Sequence, residues 1–439
     1  MKISVVGLGK LGSPLAAVAA SKGHTVVGAD LNEGFVRAIN EGRPPVEEPG
    51  LAERIAANRE RLSATTDVRR AVLETDVTFL IVPTPSGPDG RFSTKYVLSA
   101  AGPVAAALRE KSGYHVVSLT STVMPGATGG ELLPALERGS GRRCGPDFGL
   151  CYNPEFIALG NVIDGMLKPD FLLIGESDRR SGDVLMSFYE SVCENRPAAA
   201  RMNFVNAELT KISVNTFVTT KISYANMLAE VCETLPGADV ETVTAALGMD
   251  TRIGRKYLRG ALGYGGPCFP RDNVAFASLA RGNGVPPLLA EATDHINHRQ
   301  VERLAARVLS LLAPDGRVGI LGLAYKPDTP VVEESQGLQL AGRLADESVR
   351  VTVYDPLAMP AARAILGDRV TWAGSVAECA GRADVLAITT GWPEFRSLTP
   401  QMLDARRGRP AVIDCWRLLS PEVFAPACRY VTVGTGPAA

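Results

Sequence analysis

Short runs of consecutive apolar residues alternate with amphipathic stretches along the first third of the chain. "ISVVGLG" at 3–9 is followed by helical sequence from about Pro14 to Ser21. Then come "TVVGAD" at 25–30, a further helix, "DVTFLIVPTP" at 76–85, a helix near 95–111 and "HVVSLTST" at 115–122. Brief, fully apolar strands separated by helices predict a parallel α/β sheet buried on both faces, running to about residue 200. From Asn206 to Leu235, thirty residues pass without Pro or Gly, opened by a capping Asn and closed by "PG". The pattern predicts one helix about 45 Å long. Such a helix suits a spine between domains or a dimer contact, with two shorter helices as the alternative.

Near residue 316 the first pattern restarts. "GRVGILGLAYKPDT" gives a strand and a glycine turn, and "VRVTVYDP" and "ADVLAITTGWPEF" echo "HTVVGAD" and "TDVTFLIVPTP". The expected fold class is therefore α/β, with two Rossmann-like doubly wound domains joined by a long central helix and a helical middle region. The expected domains are 1–200 (dinucleotide binding), 201–300 (helical, with the long helix) and 301–439 (a second nucleotide-binding half). At 439 residues, more than one core is required.

Charge narrows the partners. Forty-six basic against 47 acidic residues, a net charge of -1, speak against a nucleic-acid surface or a polybasic membrane contact. A small molecule is expected instead. The eight cysteines are scattered, with no C-x-x-C, and read as reduced thiols. "MKISVVGLGKLG" reads as strand and turn rather than as a signal peptide, and no apolar run approaches the length of a membrane span. These features set the expectation of a cytoplasmic location.

"GLGKLG" places Gly7, Gly9 and Gly12 between a strand and a helix, and Asp30 ends the next strand 23 residues after Gly7. This is the dinucleotide pattern: glycines for the tight turn, close approach to a pyrophosphate and helix packing, and an acid for the ribose hydroxyls. Asp30 would repel a 2′-phosphate, and Leu31, Asn32 and Glu33 follow it without an arginine, so NAD is expected rather than NADP.

A nicotinamide enzyme also needs a group to take the alcohol proton. None of the ten tyrosines has Lys four residues on, and the close pair His295 and His298 lacks neighbouring cysteines, so neither a Tyr/Lys site nor a zinc site is expected. Lys211 and Asn215 lie four apart on the long helix, and Cys268 sits in "GYGGPCFPRD" with Asp272 beside it. Read alone, Lys211 could be a solvated helix lysine and Cys268 either a nucleophile or a structural thiol.

Taken together, "GLGKLG", "EEPGL" (47–51), "VPTP" (82–85), "STVMPG" (121–126), "NPEF" (153–156), "AELTKISVN" (207–215), "GYGGPCFPRD" (263–272) and "GLAYKPDT" (322–329) resemble the nucleotide-sugar 6-dehydrogenases, the family of UDP-glucose and GDP-mannose dehydrogenases. The resemblance spans nearly the whole chain. It implies oxidation of a sugar C6 alcohol to a carboxylate with two NAD⁺ per turnover, in a homodimer built on the long helix or a higher homo-oligomer. It implies Cys268 as nucleophile, Lys211 and Asn215 as oxyanion stabilisers, Asp272 and Glu155 as proton-handling carboxylates and Thr122 as a water-holding hydroxyl. It further implies cofactor contacts from Gly7, Gly9, Leu11, Gly12, Asp30, Pro83, Thr84, Thr122 and Lys326. Substrate contacts are implied from Phe156, Ile157, Lys211, Asn215, Arg252 of a second subunit, Tyr264, Gly265, Phe269, Tyr325, Lys326 and Arg417. UDP-glucose or TDP-glucose is the expected substrate. The same chemistry on GDP-mannose or an N-acetylated sugar is the alternative, and a two-electron hydroxyacid or phosphogluconate-type dehydrogenase a distant one.

Three positions depart from the better-known members. Leu159 stands where a second Glu follows "NPEF", Thr120 where Lys precedes "STV", and Glu333 where Arg follows the lysine loop.

Overall fold

The computed structural model describes residues 1–157, 159–403 and 408–438. The chain divides into two compact units, Met1–Val214 and Asn215–Ala439. In the first, eight strands form one sheet: β1 (Lys2–Val6), β2 (Thr25–Ala29), β3 (Leu62–Thr65), β4 (Val77–Leu80), β5 (Val116–Leu119), β6 (Gly149–Tyr152), β7 (Phe171–Glu176) and β8 (Ala198–Met202). Their order is β3-β2-β1-β4-β5-β6-β7-β8. All neighbours are parallel except β6 and β7. The apolar runs form strands because both faces are covered: Ile3 and Val5 are fully buried, as are Val26 and Phe79 on flanking strands. The direction in which successive strands are added to the sheet reverses between β1 and β4, the switch point at which such sheets bind ligands past the carboxyl ends of their strands.

The second unit repeats this plan. Strands β9 (Arg317–Leu321), β10 (Arg350–Tyr354), β11 (Thr371–Trp372), β12 (Val385–Ile388), β13 (Ala411–Asp414) and β14 (Arg429–Thr432) are ordered β11-β10-β9-β12-β13-β14, all parallel. That is the order of the first six strands of the other sheet.

The long helix is uninterrupted from Phe204 to Thr234, 31 residues. It begins two residues before the expected Asn206, because Asn203 is the cap: its Oδ1 accepts from Asn206 N at 3.0 Å and its carbonyl from Ala207 N at 3.1 Å. The boundary between the two units falls within this helix. One face is buried through small residues, Ala207, Ala225, Ala229 and Cys232. The other exposes Phe217, Tyr224, Met227 and Val231, with Leu235 just beyond the helix.

Within the first unit Glu208, fully buried on this helix, accepts the backbone N–H groups of Gly126 (2.6 Å) and Thr128 (2.8 Å). It thereby anchors the "STVMPG" turn after β5. Glu208→Ala should strand both donors, at a cost of about 2–4 kcal/mol. By calorimetry the first unit should melt about 5–10 °C lower, with Glu208→Gln falling between variant and parent. An unchanged melting profile in Glu208→Ala would show that the turn is held by other means.

Candidate active site

In the first unit the expected cofactor residues all lie just past the carboxyl ends of strands. Gly7 follows β1, Asp30 follows β2, Pro83 and Thr84 follow β4, and Thr122 follows β5. The glycines have separate physical tasks. Gly7 has φ +98°, and a Cβ there would lie 2.0 Å from the Ile81 carbonyl oxygen; a Cβ on Gly12 would lie 1.7 Å from that of Gly7. Both are required for the backbone to close. A Cβ on Gly9 would meet nothing within 4 Å, so Gly9 leaves open space in front of the turn. Leu11 occupies the cap position of the Gly12–Ser21 helix and no side chain caps that end, which leaves the positive end of the helix dipole available to an anion. Asp30 accepts from Leu8 N (2.7 Å) and Asn32 N (2.8 Å) and is partly exposed beside this turn. Thr84 Oγ1 donates to the Thr122 carbonyl at 2.7 Å, fixing these two loops together. Open cradle, uncapped helix and ribose-type acid fit a dinucleotide; when bound, NAD⁺ supplies the hydride acceptor.

Glu155 follows β6 in the same unit. Lys211 is 5% exposed, so it is not a solvated helix lysine; its Nζ donates to the Glu155 carbonyl at 2.7 Å and stands 4.5 Å over the Phe156 ring. Burial pushes the Glu155 carboxyl up to about 7, with a hydrogen bond from Tyr189 and the Lys211 charge partly opposing. Leu159, in place of an acid, packs with Ile157 against the hydrophobic core. Glu48 of "EEPGL" accepts from Gly160 N (3.0 Å) and Val162 N (2.7 Å), tethering the segment that follows.

In the second unit, Cys268 is exposed and occupies the N-cap position of the Phe269–Gly282 helix without a side-chain cap hydrogen bond. By contrast, Cys151 and Cys379 are buried, and burial pushes their thiols up to about 12. Asp272 lies in the first turn of the helix at 1% exposure, and its Oδ2 accepts from Asn215 Nδ2 at 2.6 Å. Its Oδ1 has no hydrogen-bond partner, with Arg271 Nε at 3.6 Å. This buried carboxylate oxygen, in the first turn after Cys268, keeps acceptor capacity.

The Cys268 loop is shaped by close backbone approach. A Cβ on Gly265 would lie 2.3 Å from the Glu334 carbonyl oxygen, and one on Gly266 (φ +81°) 2.6 Å from the Tyr325 ring. Gly266 N donates to the Glu333 carbonyl at 2.9 Å. The loop thus packs on the segment that carries Tyr325 and Lys326, and Glu333 contributes its backbone while its side chain is exposed. Phe269 stands edge-on to Tyr257.

Three expected substrate residues are placed differently from a simple lining role. Tyr264 is buried and donates to Asp294 at 3.2 Å, while Asn297 holds its backbone on both sides, so it anchors the loop. Arg417 is paired with Asp239 at 2.6 Å and donates to the Val433 carbonyl, tying the end of the chain to the helical region. The Arg252 side chain is 86% exposed and pairs with Asp250.

The residues that sequence reasoning did not assign are Tyr189, Asn153, Glu48 and Glu208. Asn153, Glu48 and Glu208 lie inside quoted motifs, where motif position was the available signal; Tyr189 carried none.

Family models match most of the chain. They are the NAD binding domain of the UDP-glucose/GDP-mannose dehydrogenase family over residues 1–193, its central domain over 205–299 and its UDP binding domain over 319–421. The chain belongs to this family. The UDP-glucose 6-dehydrogenase of Haloferax volcanii is 36% identical over 424 residues, covering 96% of this chain and 97% of that one. That of Rhizobium meliloti is 34% identical, covering 99% of each. A solved structure of a UDP-glucose dehydrogenase from the hyperthermophilic archaeon Pyrobaculum islandicum matches with a TM-score of 0.89 at 35% identity, covering 99% of this chain and 98% of that one. The family member described here is an NAD-dependent nucleotide-sugar 6-dehydrogenase.

Because Gly9 faces open space, Gly9→Val should leave the fold intact while filling the cradle. We expect NAD affinity by calorimetry to fall at least about tenfold, the loss of roughly 1.4 kcal/mol, with an unchanged thermal transition. Undiminished NAD binding in the variant would refute the placement of the dinucleotide at this turn.

Proposed function

We propose that the enzyme oxidises C6 of UDP-glucose to the carboxylate in a four-electron reaction that passes through covalent Cys268 intermediates. The observation that carries this reading is the exposed thiol of Cys268 at a helix N-terminus, in a loop whose glycines bring it against the Tyr325–Lys326 segment, with the open oxygen of Asp272 one turn on. A two-electron dehydrogenase has no use for such a thiol.

In the first oxidation the substrate hydroxyl loses its proton to Asp272, directly or through water, and an aldehyde forms. The Cys268 thiolate adds to the aldehyde carbon. The carbonyl pair moves to oxygen, where Lys211 and Asn215, four apart on one helix, stabilise the negative charge. The covalent bond also retains the aldehyde. Oxidation of this thiohemiacetal gives a thioester. Glu155 then takes a proton from water held with Thr122, water attacks the acyl carbon, and the C–S bond breaks to return the thiolate and release the carboxylate.

Several observations favour UDP-glucose. The model matched by residues 319–421 is described as a UDP binding domain, and the relatives at 34–36% identity carry the name UDP-glucose 6-dehydrogenase. TDP differs from UDP by one methyl on the base, so TDP-glucose is the second reading. The exposed apolar stripe from Phe217 to Leu235 supports a homodimer, and the exposed Arg252 supports a contact with the sugar bound by a second copy. A cytoplasmic location fits the eight cysteines, none of them in a disulfide.

With UDP-glucose in a panel of UDP-, TDP- and GDP-sugars, two NADH should form for each sugar consumed. A single NADH with free aldehyde would overturn the four-electron mechanism. Cys268→Ser should lower steady-state turnover by about a thousandfold or more, whereas near-normal turnover would remove the thiol from the mechanism.

The Glu155 carboxyl, pushed up to about 7, must be ionised to act as base. Thioester hydrolysis, followed by quenched mass spectrometry of the acyl enzyme, should therefore speed up about tenfold between pH 6 and pH 8 and then level off. Glu155→Gln should abolish that rise. A rise that survives in Glu155→Gln assigns the base elsewhere.

A further inference from the structure

The Glu155 carboxyl faces a residue that no step above uses. Tyr189, on the Arg179–Val192 helix, is 4% exposed, and its hydroxyl lies 3.3 Å from Glu155 Oε1 and 2.5 Å from Asn153 Oδ1. The Asn153 amide has a fixed orientation, because its Nδ2 donates to the Leu173 carbonyl at 2.9 Å, so the oxygen facing Tyr189 only accepts. The Tyr189 ring is itself set edge-on against Phe188.

A phenol carries one proton and two lone pairs. Beside an ionised Glu155, Tyr189 donates to the carboxylate. Beside a protonated Glu155, its proton turns to Asn153 and its oxygen accepts from the carboxyl. Burial keeps the Tyr189 hydroxyl itself protonated throughout. Rotation of the O–H bond alone thus lets the phenol meet the Glu155 carboxyl in both protonation states, its proton going wholly to Asn153 Oδ1 when Glu155 is protonated and being shared between Asn153 and the carboxylate when Glu155 is ionised.

We propose that Tyr189, held by Asn153, is a positioning residue that keeps the Glu155 carboxyl in one place before and after it takes a proton. The proposal rests on the reading of Glu155 as the hydrolytic base. The titratable groups facing Glu155 are Tyr189, Lys211 and Cys193. Burial pushes the Cys193 thiol up to about 11, so it stays neutral in the working range. Tyr189 and Lys211 hold the carboxyl down against burial, so removing the Tyr189 donor should move its titration upward.

The test compares wild type, Tyr189→Phe and the control Cys193→Ala. Glu155 is titrated by infrared difference spectroscopy, with its band assigned through Glu155→Gln, and the hydrolytic rate is measured against pH in parallel. In Tyr189→Phe we expect the Glu155 midpoint and the acid limb of the rate profile to rise together by about one pH unit. Hydrolysis at pH 6 should then fall about tenfold, while Cys193→Ala leaves both curves in place. An unmoved Glu155 midpoint in a folded Tyr189→Phe protein overturns the inference outright. A midpoint that moves while the rate profile stays fixed overturns instead the assignment of Glu155 as base. Equal shifts in the control would ascribe the effect to repacking and would also overturn the role given to Tyr189.

Discussion

Burying the Lys211 ammonium is the constraint on which the rest depends. A cation at 5% exposure needs acceptors, and it takes the carbonyl of Glu155 and the face of Phe156. This fixes the "NPEF" segment to the long helix and sets the environment of the Glu155 carboxyl. One turn further along the same helix, about 6 Å in rise, Asn215 engages Asp272. A helix broken between residues 211 and 215 would lose the fixed spacing of these two donors. The 31-residue element contains no Pro or Gly that would interrupt this spacing.

The two sheets share a strand order but not a ligand site. In each, a glycine at the end of the first strand packs against a later glycine so closely that a Cβ would strike backbone. Gly7 and Gly12 do so five residues apart, Gly322 and Gly337 fifteen apart. The intervening segment in the second unit carries Tyr325 and Lys326 and supports the Cys268 loop. Asp355, which ends β10 as Asp30 ends β2, is 1% exposed. It accepts from Leu323, Ala324, Leu357 and Ala358 N–H groups and from Trp392 Nε1. It has no capacity left for a ribose. Ser335 caps the following helix through Leu338 N, where the corresponding helix of the first unit has no side-chain cap. The second unit thus keeps the architecture of a dinucleotide fold without the half-exposed carboxylate and side-chain-uncapped helix start of the first.

Much of this was legible because it is local in sequence. Apolar runs and turn glycines gave β1, β2, β4, β5 and the restart at β9, and the glycine spacing around Cys268 marked a loop under close approach. The strands β6 to β8 escaped the pattern: β6 has only four residues, β8 is half-exposed, and β7, six residues with four buried, runs antiparallel to β6. Asn203 was passed over as cap because Asn206 offered the same chemistry. Tyr264 reads from sequence as a substrate contact because an aromatic four residues before Cys268 has two possible uses, and only its partner Asp294, 30 residues away, decides between them. Tyr189 is 34 residues from Glu155 and on a helix whose apolar face reads as ordinary core. Hydrogen bonds at such separations leave no periodicity to read.

The departure at Leu159 gains a physical meaning from this arrangement. A second carboxylate near Glu155 would raise its proton affinity by like-charge repulsion. Here Leu159 and Ile157 pack on the core instead, and desolvation is the largest cause pushing the Glu155 carboxyl up to about 7. A carboxyl that titrates near neutral pH is thus obtained from a single acid in an apolar wall, moderated by one phenol and one ammonium. The two routes differ in their response to salt. Repulsion between carboxylates exposed to solvent is screened by ions, whereas desolvation is not, so the proton affinity of the Glu155 carboxyl is set by packing.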